Sequence, residues 1–264
     1  MIENSGPRIA YGPHPDQFGE LYLPPGGGPH PVVVFLHGGY WRARWHLGNA
    51  GGREMAAGLV EAGYAAWVLE YRRVGDPGGG WPGTFHDVAA GIAALRGVAR
   101  RAPIDLARVT LCGHSAGGHL ALWYAAAGRT SSHTPITPAD PLTLARVVAL
   151  APVSDLLASS AAGASQGAAD LLLGGTPGEQ PARFAAASPR ALLPIGTPVA
   201  LVHGTADEDV PFAMSEAFLA AARAAGDAID LHRLDGLGHF EPITPGSPAW
   251  PTVLAALRGS PPPG

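Results

Sequence analysis

Lysine is absent from this chain of 264 residues, and all 17 of its basic residues are arginine. This absence excludes mechanisms that depend on a lysine side chain, such as a P-loop, a Schiff-base site or a serine–lysine dyad. The chain has one cysteine, Cys112, which excludes an internal disulfide framework and a zinc site built from several thiolates. We expect Cys112 to be a small buried residue.

Charge and long apolar runs are also scarce. Charged residues make up 14% of the chain and its formal net charge is −4, so there is no basic surface to attract nucleic acid. No apolar run reaches the roughly eighteen residues that a membrane-spanning helix needs, so we expect no membrane partner. The opening residues MIENSGPRIAYG have neither a basic start nor an apolar stretch, which predicts a cytoplasmic protein without a secretory signal.

The apolar residues, which make up 47% of the chain, occur in strand-like and helix-like blocks that alternate. The length fits one domain over residues 1–264, in which residues 154–194 form short helices as a small cap or side wall. Alternation of this kind predicts an α/β fold with a mostly parallel sheet, helices on both faces and reactive loops at the carboxyl ends of the strands. After a hairpin at 8–11 and 20–23, the predicted strands are 32–36, 65–71, 109–112, 147–150, 199–202 and 229–234, and the helices include 49–62, 84–101, 116–127, 211–225 and 250–258.

The motif GHSAG at 113–117 lies between a predicted strand and a predicted helix. Small residues two before and two after Ser115 allow the tight turn that lifts a nucleophile above a sheet. The pattern therefore predicts Ser115 as a nucleophile, with the Ala116 amide directed at an oxyanion near the helix N-terminus. We expect His114 to form part of the pocket wall. The alternative is a chance match in a chain rich in glycine.

The motif HGGYW at 37–41 follows the buried run VVVFL. Glycines let the backbone turn its amides toward a substrate oxygen without a Cβ in the way. We expect the amides of Gly39 and Tyr40 to complete an oxyanion hole with the amide of Ala116. The amide of Gly38 is the fallback donor. His37 is predicted to hold the loop through its ring nitrogens. The alternative is a simple glycine-rich connection.

Three acidic residues follow the next-to-last predicted strand, in the motif HGTADEDVP. A carboxylate here can accept a hydrogen bond from the imidazole of a catalytic histidine. Asp207 is the predicted acid because it comes first in the loop. Asp209 and Glu208 are rivals that could cap the following helix instead, and Asp155 is a rival from the preceding strand.

His239 lies in the motif GLGH, directly after the last predicted strand. Of the 11 histidines, it alone combines a strand-end glycine loop with a position after the predicted acid. Near neutral pH an imidazole can take a proton from a serine and return it to a leaving group. The order serine, aspartate, histidine along the chain matches the order of a known catalytic triad. A histidine in a solvent-exposed loop would not by itself indicate catalysis.

Metal and cofactor chemistry have no signal in the sequence. There is no HExxH pattern, and no GxGxxG pattern follows a predicted strand. We therefore expect no metal and no cofactor.

Taken together, the motifs HGGYW, GHSAG, HGTADEDVP and GLGH make the chain resemble the α/β-hydrolase superfamily over nearly its whole length. HGGYW and the upstream YGPHPDQFGELYLP resemble the esterase/kynurenine formamidase (arylformamidase) group, whereas hormone-sensitive-lipase-like esterases usually carry a third glycine at position 40. The resemblance implies an α/β-hydrolase fold with a small cap or none. It also implies a triad of Ser115, Asp207 and His239.

These observations predict a cofactor-free serine hydrolase that cleaves small carboxylic esters or aryl formamides through an acyl-enzyme. Trp41 and Trp81 are predicted to line the pocket and to favour a short acyl group and a flat aromatic leaving group. The alternative is that these rings pack within the loops and the core. The alternative function is a general short-chain carboxylesterase or deacetylase. A non-catalytic binding protein is disfavoured because all three triad residues are present. The expected partner is a small ester or amide. The sequence leaves open whether the protein forms a homodimer.

Overall fold

Eight strands form one sheet in the part of the chain that this computed structural model describes, residues 6–129 and 134–259. Their order across the sheet is β1-β2-β4-β3-β5-β6-β7-β8. The first two strands run antiparallel to their neighbours and the other six are parallel, which confirms the predicted α/β architecture. The strands are β1 Arg8–Ala10, β2 Phe18–Tyr22, β3 His30–Leu36, β4 Ala65–Leu69, β5 Ile104–His114, β6 Arg146–Leu150, β7 Val199–Gly204 and β8 Ile229–Leu234.

The sheet is covered by helices on both faces, because its central strands bury side chains in both directions. Along β3, Val32, Val34 and Leu36 belong to one apolar core, whereas Val33 and Phe35 belong to the core on the opposite face. The helices are α1 Gly52–Glu61, α2 Gly83–Ala93, α3 Leu95–Val98, α4 Ala116–Ala127, α5 Leu156–Ala161, α6 Ala164–Leu173, α7 Pro181–Ala187, α8 Phe212–Ala224 and α9 Trp250–Arg258, with 3₁₀ turns at Pro189–Leu192 and Glu241–Ile243.

Two predicted elements differ from the structure. The helix expected over 84–101 is divided into α2 and α3, which meet at Ala94. The strand expected over 109–112 is much longer, because β5 begins at Ile104 and pairs with β3 on both sides of a register shift. The carboxyl end of β5 lies two residues beyond the predicted end, at His114, so Ser115 still follows the strand directly.

The segment 154–194 contains α5, α6 and α7. At the start of α6, Ser165 and Gln166 have left-handed backbone, with φ of 47° and 58°. Such backbone costs a non-glycine residue about 1–2 kcal/mol, so tertiary contacts must hold the turn. One of these contacts is the Arg42 guanidinium, which donates to the Ser165 carbonyl at 2.6 Å. The single-domain assignment, with this segment as a cap or side wall, stays a prediction.

Cys112 lies in the middle of β5, paired with Phe35 of β3 on one side and Val148 of β6 on the other. It is fully buried, as predicted, and burial raises the pKa of its thiol well above the ordinary value. Within the described residues, no helix is both long enough and apolar enough to cross a bilayer.

Candidate active site

Ser115 occupies a sharp turn between β5 and α4. Its backbone has φ 55° and ψ −116°, a conformation that non-glycine residues rarely adopt and that is concentrated at functional sites. Gly113 and Gly117 make the turn possible: a Cβ on Gly113 would collide with the Gly117 carbonyl, and a Cβ on Gly117 would collide with the Leu36 carbonyl. The requirement for small residues on both sides of the serine is therefore steric.

The turn is fixed by backbone hydrogen bonds. The amide of Ser115 donates to Leu150 at 2.8 Å, and its carbonyl accepts from His119 at 3.0 Å. Ala116 is the first residue of α4, so its amide belongs to the first helical turn, whose N–H groups have no helical acceptor. The helix dipole adds to the preference for negative charge at this end.

The loop after β3 lies against this turn. Gly39, Tyr40 and Trp41 have φ of 108°, 51° and 55°, so three consecutive residues have left-handed backbone. A Cβ on Gly39 would collide with the side chain of Trp45. A Cβ on Gly38 would lie 3.2 Å from the Cβ of Ser115. The structure thus brings the predicted oxyanion loop next to the predicted nucleophile.

His37 anchors the loop, as predicted. Its Nδ1 lies 2.8 Å from the Gly38 carbonyl, and its Nε2 lies 2.9 Å from Oε1 of Glu70. Both partners are oxygen atoms, so each ring nitrogen of His37 faces an oxygen and neither is free for another partner. The ring is fully buried and stacks on Tyr71 with 4.5 Å between centroids, and the Tyr71 hydroxyl donates to the His37 carbonyl at 2.7 Å.

Glu70 links this loop to the rest of the molecule. Its buried carboxylate also accepts hydrogen bonds from Arg73 Nη1 at 2.7 Å and from the Leu47 amide at 2.8 Å. Burial acts to raise the pKa of Glu70, but His37 and Arg73 outweigh it and leave the pKa below its ordinary value. Sequence reasoning missed this residue. The available signal was a carboxylate placed directly after the apolar run AAWVL.

Asp207 is the carboxylate that contacts His239. Its buried side chain accepts at Oδ2 from His239 Nδ1 at 2.6 Å, and at Oδ1 from the amides of Asp209 and Val210 at 2.9 and 2.8 Å. Burial acts to raise the pKa of Asp207, but hydrogen bonds from His203 and His239 hold it well below the ordinary value. Asp207 is therefore a carboxylate at neutral pH.

The rival acids are placed differently. The Asp155 side chain caps α5, where it accepts from the amides of Leu157 and Ala158. Glu208 and Asp209 are exposed in the loop after β7.

His203 is a second imidazole on the same carboxylate. Its Nε2 lies 3.0 Å from Asp207 Oδ2 and 3.0 Å from the Val210 carbonyl, so this nitrogen carries hydrogen. Its Nδ1 lies 2.7 Å from the Ser215 hydroxyl, and the ring is fully buried. Sequence reasoning missed this role too. The signal was a histidine at the end of a strand, four residues before the predicted acid.

His239 is buried, and its position is fixed by its own backbone as well as by Asp207. His114 Nε2 donates to the His239 carbonyl at 2.9 Å, and the two rings lie 4.5 Å apart. Burial, together with the neighbouring His239, lowers the pKa of His114 to about 3, so His114 is neutral. Among the described residues there is no hydrogen bond between the Ser115 hydroxyl and the His239 ring, but both side chains line one cavity.

This cavity has a volume of about 570 Å³. His114 lines it, as predicted, and so do Gly38, Gly39 and Tyr40. Two further aromatic rings reach it: Trp45 and Phe240, which are 37% and 58% exposed and so stand at its mouth.

The two tryptophans predicted for the pocket are not in the cavity wall, which is a correction. Trp41 is buried in the core, with its ring edge-to-face with His119 at 5.0 Å, and Trp81 packs edge-to-face on Phe85 at 5.7 Å. Large rings gain more by removing apolar surface from water in the core than at an open cavity. The chain alternates accordingly, with Tyr40 at the cavity and Trp41 in the core.

Asp207, Asp209 and His239 are the group whose donor atoms come close enough to hold a metal ion, lying within 4.8 Å of one another among the described residues. Two of these residues, however, already bond each other through the short Nδ1–Oδ2 contact. The arrangement is that of an oriented imidazole, which fits proton transfer better than metal ligation.

Known proteins give the same picture of the fold. A truncated carbohydrate esterase from gut microbiota superposes with a TM-score of 0.82 at 20% identity, over 97% of this chain and 96% of that one. A bifunctional GH43-CE protein of Bacteroides eggerthii superposes with a TM-score of 0.74 at 25% identity, over 88% of this chain and 35% of that one.

One curated relative is similar in sequence, the probable isoprenylcysteine alpha-carbonyl methylesterase ICMEL2 of Arabidopsis thaliana. The two are 34% identical over 113 residues, which is 42% of this chain and 26% of that protein. This chain thus matches only about a quarter of the relative's length. The profile of the BD-FAE family, in contrast, matches residues 20–221. Because that match spans most of the chain, and the fold is that of α/β-hydrolase esterases, this protein belongs to the BD-FAE family.

Proposed function

We propose that this protein is a serine esterase in which Ser115, His239 and Asp207 act as a catalytic triad. The observation that carries the proposal is the 2.6 Å contact between His239 Nδ1 and Asp207 Oδ2 beside a cavity that both His239 and Ser115 line. Because Nδ1–H donates to the carboxylate, Nε2 of the neutral ring is left free to accept a proton. That is the tautomer a general base needs.

In the proposed reaction, Ser115 attacks the carbonyl carbon of an ester and transfers its proton to His239 Nε2. A serine hydroxyl can rotate about χ1, and catalytic hydrogen bonds often tighten only when substrate is bound. Asp207 stabilises the imidazolium that forms. His239 then protonates the leaving alcohol, and water hydrolyses the acyl-enzyme by the same steps in reverse order.

The proposed oxyanion hole consists of the amides of Gly39, Tyr40 and Ala116, with Gly38 as the fallback donor. The closeness of Gly38 to Ser115 and the left-handed loop that follows support this placement. The anchoring of the loop by His37 and Glu70 supports it further, since donors that are held in place before the reaction stabilise developing charge best.

For the substrate, we propose a short-chain carboxylic ester, and the names of the relatives support this class. One structural relative is a carbohydrate esterase and the sequence relative is a methylesterase. The open cavity with Trp45 and Phe240 at its mouth supports a short acyl group on a larger alcohol, such as an acetylated sugar that stacks on exposed rings. An aryl formamide is the second candidate, favoured by the three aromatic rings that would flank a flat leaving group.

The first test is Ser115→Ala, which removes the nucleophile. Turnover of p-nitrophenyl acetate is expected to fall by at least about 10³-fold with the circular dichroism spectrum unchanged. Ser160→Ala is the matched control, because Ser160 donates a hydrogen bond to Asp170 within the segment 154–194 and does not line the cavity. Activity that survives in Ser115→Ala would refute the mechanism.

The second test compares acetylated sugars, aryl acetates and N-formylkynurenine on the purified protein. A kcat/KM for acetyl esters well above that for the formamide supports the ester assignment, and the opposite order supports the formamide assignment. If the wild-type protein hydrolyses none of these substrates, the proposed class is wrong.

A further inference from the structure

An apolar groove lies beside the cavity that contains Ser115. It has a volume of about 300 Å³ and lies between the segment from α5 to α6 and the start of α8. Two pairs of alanines face into it, each pair one helical turn apart: Ala158 with Ala162, and Ala213 with Ala217. Larger side chains at these four positions would fill the groove, so the small residues keep it open.

The groove adjoins the cavity of the candidate active site. Tyr40, Ala164 and Asp209 line both, so the Tyr40 side chain stands at the junction. Its hydroxyl donates to the Asp209 carbonyl at 3.1 Å, and burial, aided by Asp209, raises the pKa of Tyr40 to about 12. The hydroxyl therefore keeps its proton, and its solvent-accessible contacts with the carbonyl and the carboxylate of Asp209 hold the ring in place.

The lining of the groove is apolar along most of its length. Val153, Val210 and Met214 contribute to it together with the alanines. Polar groups lie at the end of the groove near Ala217. There the Arg190 guanidinium donates to the Ala217 carbonyl at 2.7 Å and lies 3.5 Å from the Asp155 carboxylate. From Pro211 to Ala217 the groove follows α8 for about 9 Å, given a rise of 1.5 Å per residue.

We propose that this groove binds the aliphatic chain of a substrate whose ester group lies at Ser115. The proposal rests on the proposed function, because the chain must begin at the nucleophile. The size fits: an apolar cavity of about 150 Å³ holds one benzene molecule, and this groove offers about twice that volume. Because Tyr40, Ala164 and Asp209 line both spaces, the groove begins where a chain attached to an ester at Ser115 would leave the cavity.

The experiment fills the groove from both sides. Ala158→Leu and Ala213→Leu are compared with the wild type on two series of esters. One series consists of p-nitrophenyl acetate, butyrate and hexanoate, and the other of acetates of alcohols from ethanol to hexanol. Ala220→Leu is the matched control, because Ala220 is exposed on the same helix α8 but lies outside the groove. Thermal unfolding checks each variant, and Ala162→Leu or Ala217→Leu replaces a variant that does not fold.

The quantity measured is the ratio of kcat/KM for the longest chain to kcat/KM for the shortest. In both groove variants it is expected to fall at least about tenfold in one of the two series, since each buried methylene contributes about fourfold. The series that responds identifies whether the groove holds the acyl chain or the alcohol chain. The control keeps the wild-type ratio.

Three results would overturn the groove assignment: an unchanged ratio in both variants, an equal fall in Ala220→Leu, or a wild-type protein that hydrolyses only the shortest member of each series. Each of these leaves ester hydrolysis intact, so it differs from failure of the proposed function. That failure would appear as absence of turnover for every ester, or as full activity in Ser115→Ala.

Discussion

Two buried carboxylates follow parallel strands of the same sheet, and each contacts a histidine. Glu70 follows β4 and lies 2.9 Å from His37. Asp207 follows β7 and lies 2.6 Å from His239. The chemical pair is the same at both places, an imidazole oriented by a desolvated carboxylate.

Their surroundings differ in charge and in access. Glu70 is also bound by Arg73 at 2.7 Å, and His37 is enclosed with both ring nitrogens bonded to oxygen. Asp207 has no arginine within ion-pair distance among the described residues, and the ring of its histidine lines the cavity. The pair at Glu70 therefore has no nitrogen free for a reaction and serves to hold the loop. In the pair at Asp207, Nε2 of His239 is left to exchange protons. Access of the histidine ring to the cavity therefore distinguishes the two pairs.

The largest expected difference is in turnover. Asp207→Asn is expected to lower kcat by about 10³–10⁴-fold, because an amide neither stabilises an imidazolium nor selects the required tautomer. Steady-state kinetics with p-nitrophenyl acetate measures the loss. Asp209→Asn is the comparison, since Asp209 was a rival for the same role. A larger loss at Asp209 than at Asp207 would transfer the acid assignment to Asp209.

Glu70→Gln tests the other half of the comparison. It removes the carboxylate that contacts His37 and one of the three carboxylates around the buried Arg73, which keeps Asp16 and Asp76, so the free energy of unfolding is expected to fall by about 1–3 kcal/mol. Urea unfolding measures this loss. The kcat of the folded fraction is expected to change far less than in Asp207→Asn. If kcat falls as steeply as in that variant while stability is retained, the two pairs do not have separate roles.

His203→Phe removes one of the two imidazole donors to Asp207. Hydrogen bonds to charged groups contribute about 1.5–3 kcal/mol, so a loss of about tenfold in kcat is expected. With one donor fewer, the Asp207 carboxylate attracts the His239 imidazolium more strongly, so the acid limb of the kcat profile, which reports proton uptake by the base, moves to higher pH. His203→Gln keeps an N–H donor and is expected to recover part of the loss. An unchanged dependence of kcat on pH in both variants would mean that His203 has only a packing role.

The smallest expected effect concerns His119, a buried histidine in neither pair. Burial lowers its pKa to about 3 although the Ala187 carbonyl favours the charged form. An unfolded histidine has a pKa of about 6.5, so between these values the unfolded chain binds more protons. Stability therefore falls as the pH drops from about 6.5 toward 3, by up to about 1.4 kcal/mol per pH unit for this group.

His119→Gln is expected to make the dependence of unfolding free energy on pH shallower by that amount. His46→Gln, at an exposed histidine, is the control and is expected to leave the slope unchanged. Equal slopes for wild type and His119→Gln would show that His119 does not contribute to the loss of stability in acid.

The sequence predicted the parallel sheet and the site at its carboxyl edge because these follow from local patterns. The turn at Ser115 needs glycine at fixed positions, and that requirement can be seen in five residues. The proximity of His239 to Asp207 follows from strand order, because β7 and β8 are neighbours and both loops start from the same edge. The catalytic roles themselves stay proposals that the variants above must test.

Tertiary contacts account for what the sequence did not predict. Tyr40 and Trp41 are adjacent and chemically similar, yet the Trp41 ring is buried in the core whereas Tyr40 lines the cavity. Glu70 and His203 gain their roles from partners 33 and 4 residues away, and the more distant partner has no sequence pattern that points to it. The groove beside the cavity depends on alanines, which are common throughout this chain and carry no signal.

The position of Cys112 gives the protein an internal reporter of opening. Its sulfur is fully buried in the central strand, three residues before Ser115, so a maleimide can react only when neighbouring strands separate. Since there is no second cysteine, every labelled molecule marks that one event. When closing is faster than labelling, the labelling rate in native buffer follows the population of the opened sheet. It thus reports, without denaturant, the stability of the strand that leads to the proposed nucleophile.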